Sequence, residues 1–216
     1  GFTFLLGGGP VEMIFAFIAA GVGNLIRMKL IKHHYTLFLN IAVSISAACL
    51  TYAVCLHMAE LLFHISAVHE AGYICSMLFI IPGFPFITSG IDLAKLDMRS
   101  GMERLMYALI IVLVATMSAW IMALILGLQP VDFLKLDLTQ AEWIVFRLLA
   151  SFCGVFGFSI MFNSPTRLAA VAAGIGAIAN TLRLELVDLT ALPPAAAAFV
   201  GALTAGLLAT MIKNQV

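Results

Sequence analysis

Charge is what this chain has least of. Of its 216 residues, 11 are Lys or Arg and 11 are Asp or Glu, only 10% together, and they cancel. Soluble domains are roughly a quarter charged, so an ordinary water-facing surface is excluded. The missing basic surplus argues against nucleic acid as a partner. Cysteine is also sparse. Cys49, Cys55, Cys75 and Cys153 all lie in apolar segments without CxxC spacing. They read as small buried hydrophobes, not as a disulfide frame or metal site. No nucleophile–base pair and no strong metal motif appears, and no cofactor is expected. The chain opens at Gly1 with no Met and no basic n-region. The opening GFTFLLGG is apolar but too short to span a bilayer. It is expected to be the end of a helix whose start is missing, which would make the chain a fragment.

What is present is apolar. The chain is 63% hydrophobic, with a mean hydropathy of +1.11. Backbone polar groups inside a bilayer must be satisfied within each span, so the expected fold is an all-α integral membrane protein, a polytopic helical bundle. Runs long enough to cross fall at 10–26, 38–62, 72–91, 105–128, 142–162, 168–182 and 195–212. With the opening segment they predict about eight crossings. If the spans alternate, Arg27, Lys29, Lys32, Lys95, Arg99, Arg104, Arg167 and Lys213 share one side. The other side holds Lys135 and Arg183 with Glu70, Asp132, Asp137, Glu185 and Asp188. The positive-inside rule puts the first set in the cytoplasm.

The chain also echoes itself. An offset of 156 pairs Gly1 with Gly157, Phe2 with Phe158, Asn24 with Asn180 and Arg27 with Arg183. At the same offset Lys29 becomes Glu185 and Lys32 becomes Asp188. A basic loop answered by an acidic one is the pattern of two copies inserted in opposite senses, as in secondary transporters; chance similarity between two apolar hairpins would look much the same. The expected organisation is an inverted repeat of five-helix halves. Residues 1–128 form the first half, 129–141 an extracytoplasmic linker, and 142–216 a truncated second half.

Three stretches resemble the bacterial threonine/serine exporters: GFTFLLGGGPVEMIFAFIAAGVGNLIR, IPGFPFITSGIDLAKLDMRSGMERLMYALII and FGFSIMFNSPTRLAAVAAGIGAIANTLR. The middle one is the most specific, with Pro82-Gly83, then Asp92, then Gly101 before a long helix. The resemblance implies a multi-pass protein of the bacterial cytoplasmic (inner) membrane, with about ten spans in two halves. It implies export of small hydrophilic amino acids coupled to protons, as an antiport. Split relatives associated with dicarboxylate export keep a substrate such as succinate open. A non-transporting membrane subunit and a metal-dependent membrane enzyme are the competing classes. Implied partners are the small-molecule substrate, a proton and the lipid bilayer; self-association into an oligomer stays open.

The candidate substrate-binding residues are Pro82, Gly83, Phe84, Pro85, Thr88, Ser89 and Asp92. Proline inside a helix removes a backbone bond at about 3 kcal/mol. A break near mid-membrane would free carbonyls around 78–81 and the amides of a half-helix starting near Pro85, which suit a carboxylate. Thr88 and Ser89 would supply hydroxyls, and Asp92 a site carboxylate or proton carrier. A purely structural kink is the plainer reading. His57, Glu60 and His64 share a helix face, where interface decoration is plainer than metal binding. His57 and Glu60, with the repeat-related Asn24 and Asn180, are candidates for coupling or gating. Glu12, in a first helical turn, suits a capping role, Arg147 can snorkel from one turn inside its span, and the buried amides suit interhelical bonds.

Overall fold

The computed structural model describes residues 1–63, 70–128, 139–190 and 192–212. Lys135, Asp132 and Asp137 in the linker, His64 and Lys213 lie outside the described residues. The described elements are helices α1 (Phe2–Leu5), α2 (Pro10–Lys32), α3 (Leu37–Phe63), α4 (Glu70–Ser76), α5 (Gly83–Ala94), α6 (Met98–Ile125), α7 (Gln140–Met161), α8 (Thr166–Leu189) and α9 (Pro194–Ile212). A 3-10 turn, Leu78–Ile80, lies between α4 and α5. Six helices are long and apolar enough to cross a membrane, and the bent pair Ala71–Ile80 and Gly83–Ala94 makes up to seven. The opening segment, expected as the partial eighth element, is the four-residue α1.

Local chemistry explains the helix ends. Pro10 and Pro194 stand at first helical positions, where a missing N–H costs nothing. Thr139 and Glu142 cap α7 reciprocally: Thr139 N donates to Glu142 Oε2 at 2.8 Å and Glu142 N to Thr139 Oγ1 at 3.4 Å. Asp97 caps α6 by accepting from Ser100 N at 3.3 Å. Gly7, His34, Leu96, Gly127 and Asn163 all have positive φ and stop α1, α2, α5, α6 and α7. At each, two closing bonds return to the last turn, such as Asp97 N to Asp92 O at 3.0 Å beyond Leu96.

The described residues divide into two compact units, Pro10–Phe133 and Gly1–Gly9 with Leu134–Val216. In the first, small residues let backbones approach. Ala16, Ala19 and Gly23 form the buried face of α2. A Cβ on Gly23 would sit 2.8 Å from Ala48 Cβ and 2.7 Å from Phe79 Cζ, whereas Gly21 has open space. Large apolar side chains such as Phe17, Leu25, Leu113 and Trp120 point outward, as lipid-solvated helices require.

The second unit packs α7 against α8 and α8 against α9. Ala169, Ala173 and Ala177 form a small-residue seam along α8. Gly201 on α9 meets the Ala179 carbonyl, 3.1 Å from where a Cβ would be. Phe2 on α1 lies edge-on to Phe158, with ring centroids 5.3 Å apart. Arg147, expected to snorkel, instead joins helix ends: it binds Glu185 at 2.6 Å, binds Asp188, and lies 5.0 Å over the Trp143 ring.

Candidate functional site

The site is built around the break between α4 and α5. Two hydrogen bonds tie the two arms of the break to α6. Tyr73 Oη donates to Ala119 O at 2.8 Å, and Ser89 Oγ donates to Gly101 O at 2.8 Å. The two acceptors are eighteen residues apart on α6, a rise of about 27 Å. The hydrocarbon layer is about 30 Å thick. The bent pair therefore runs antiparallel to α6 along much of that helix's length, the geometry of a broken span or a re-entrant loop. Ile81, at the break, is midway in sequence between Tyr73 and Ser89. The two segments meet at 60°.

Pro82 is buried and Gly83 half-buried. A Cβ on Gly83 would meet nothing within 4 Å, as at the outward-facing Gly21. Several freed backbone groups find local partners. Ile81 N donates to Leu78 O at 3.2 Å, Gly83 N to Ile81 O at 2.9 Å, and Phe86 N to Pro82 O at 3.2 Å. The α5 N-terminus is thus a weaker anion site than its sequence implies. Gly83's amide is turned onto Ile81, and Pro85 has no N–H to offer.

One carbonyl is reached from another helix. Arg27 Nη1, on α2, donates to Phe79 O at 3.2 Å. Arg27 lies inside α2, not in the loop after it, and helical side chains lean toward the N-terminus of their helix. Its guanidinium is therefore carried back from the C-terminal end of α2 toward the break. In the sequence Arg27 enters as a topology charge and as the repeat mate of Arg183; the one signal of a role at the break is its place at the end of an apolar run.

The other expected site residues separate into two kinds. Ser89 is 1% exposed and spends its hydroxyl on Gly101. Asp92 accepts from Ser100 Oγ at 3.1 Å and pairs with Arg104 at 3.1 Å. Both clamp α5 to α6. Thr88 turns its hydroxyl to Phe84 O and Pro85 O of its own helix. Phe84 is exposed and Pro85 half-buried at the start of α5.

His57 and Glu60 form a surface pair at 3.8 Å, with the histidine side chain 71% exposed; His64, their third member, lies outside the described residues. Asn24 is half-buried on α2, one turn before Arg27. Asn180 donates to Ser151 Oγ at 2.8 Å and accepts from Arg183 Nε at 3.1 Å. Of the amides expected to bond between helices, Asn40 instead accepts from Ser44 of its own helix, and Asn163 supplies a left-handed stop.

Glu12 lies in the first turn of α2. It is 4% exposed and within electrostatic reach of the buried Tyr52 hydroxyl. Tyr52 also presses on Gly72, where a Cβ would collide with the hydroxyl oxygen. The only trace of this cluster in the sequence is a carboxylate in an apolar run.

The family model ThrE, described as "Putative threonine/serine exporter", matches residues 1–127, more than half of the chain. No curated protein and no solved structure matches it.

Proposed function

Because the chain belongs to the threonine/serine exporter family, we propose that it is a secondary transporter of the bacterial cytoplasmic membrane that exports threonine and serine by proton antiport. The observation that carries this reading is the apolar helix pair broken at Pro82 and bent by 60°. Irregular backbone at membrane depth is tolerated where it is buried in protein or lines a cavity. Transporters use such broken helices for polar substrates.

In this reading the substrate lies beside Pro82, Gly83, Phe84 and Pro85. Ser89 and Asp92 hold α5 against α6 so that the bend keeps its angle. Alternating access follows from the two copies of an inverted repeat moving against each other. Proton coupling needs a carboxylate shielded from water that can lose its charge. Glu12 suits this, with Tyr52 of α3 near it and Cys75 of α4 near Tyr52.

The test is export from cells fed threonine- or serine-containing dipeptides. Cells expressing the protein release the free amino acid faster than cells carrying an empty vector, and Pro82→Ala slows that release. Equal release from both strains overturns the reading. Succinate in the same panel distinguishes a dicarboxylate exporter.

A further inference from the structure

We propose that Arg27 is the residue that receives the carboxylate of the transported molecule at the break. This rests on the transport reading above and names the chemistry of recognition within it.

A small zwitterion or dicarboxylate entering a span needs a positive partner for its carboxylate, since an unpaired charge in a low-dielectric site is prohibitive. The half-helix N-terminus is a poor candidate, because Gly83's amide is engaged and Pro85 has none. Two other arginines at the same end of this unit are already committed to carboxylates. Arg104 pairs with Asp92 at 3.1 Å and Arg99 with Glu103 at 3.2 Å, both at exposed positions.

Arg27 differs. Among the described residues it has no carboxylate partner, and its hydrogen bond goes to the neutral Phe79 carbonyl. A guanidinium has five N–H donors in a planar fork, and this contact occupies one. The others can take a carboxylate in the two-pronged geometry that arginine favours. The Phe79 bond holds the fork at the break without neutralising it.

The contact also implies coupling. A carboxylate that draws the guanidinium away loosens the Phe79 bond, and that bond joins α2 to the first arm of the broken span. Binding and bending then share one side chain.

The experiment uses the full chain reconstituted in liposomes, with labelled threonine as substrate and threoninamide as the carboxylate-free competitor. The wild type discriminates against the amide by about tenfold or more, the scale of one charge-assisted pair. Arg27→Gln raises the half-saturation concentration for threonine about tenfold and leaves that for threoninamide unchanged, so the two converge. Arg27→Lys keeps the charge but loses the fork, and threonine's value rises about threefold. Should the Gln variant not be recovered folded, the Lys variant decides. A selective loss for threonine supports the proposal; equal losses for both compounds, or no change, overturn it. A wild type that does not discriminate also overturns it. A wild type that carries neither threonine nor serine overturns the transport reading itself, whereas normal transport indifferent to Arg27 overturns only this assignment.

Discussion

The Ser89 hydroxyl donates to the Gly101 carbonyl at 2.8 Å, from a side chain only 1% exposed. A hydroxyl expected to meet substrate is instead a rivet between α5 and α6. Removing it loses a buried hydrogen bond between helices, so Ser89→Ala lowers stability by about 1 kcal/mol. Thr88→Val, which loses only bonds within its own helix turn, costs less. Thermal unfolding of both variants in detergent checks the order.

Gly101 faces the same seam. A Cβ there would lie 2.7 Å from Leu93 Cγ and 3.1 Å from Leu93 N. The side chain can move but the backbone cannot easily follow. Gly101→Ala destabilises by about 1–3 kcal/mol, the usual cost of overpacking. Gly21→Ala, in open space on α2, stabilises or is neutral. In chemical unfolding the midpoint falls for the Gly101 variant and does not fall for the Gly21 variant.

Leu96 holds φ of 64° and is 79% exposed. A branched side chain in the left-handed region costs about 1–2 kcal/mol, and nothing buried repays it. Leu96→Gly raises the unfolding midpoint, with transport unchanged. A lower midpoint would mean the side chain has a packing role in the membrane.

Arg147 and Glu185 are 12% and 13% exposed at the side chain and 2.6 Å apart. Replacing Arg147 by Met leaves Glu185 partly buried and uncompensated, at about 3 kcal/mol. Glu185→Gln costs less, because Arg147 keeps Asp188. A double-mutant cycle measured by chemical unfolding separates the pair from its surroundings.

Glu12→Gln tests coupling. If Glu12 carries the exchanged proton, wild-type efflux of threonine from liposomes accelerates when the outside is acidified. The Gln variant loses that acceleration but still exchanges threonine for threonine. A retained response to the pH gradient assigns the proton to another group.

The chain reveals much of this by composition. Apolar runs of bilayer length leave a helix as the only way to satisfy their backbone, and Pro82, Gly83 and Pro85 leave little choice about where one breaks. The partners of single polar side chains are less legible. Asp92 at the end of α5 reads equally as a site carboxylate or as a partner for a basic group, and only the approach of α6 brings Arg104 and Ser100 to it. Ser89 differs from Thr88 by one position, yet the 100° step of a helix turns one into the α6 seam and leaves the other on its own backbone.

Membrane residence, helical class and the position of the break were therefore determined by the sequence itself, since they depend on local hydropathy and on the missing proline N–H. The tertiary structure decided what meets the break. Hydrophobic packing in lipid is nearly indifferent to which face of a helix turns inward, so small residues such as Ala19 and Gly23 set the approach of α2. That approach carries the Arg27 guanidinium from the end of its apolar run to the Phe79 carbonyl, fifty-two positions away in the chain.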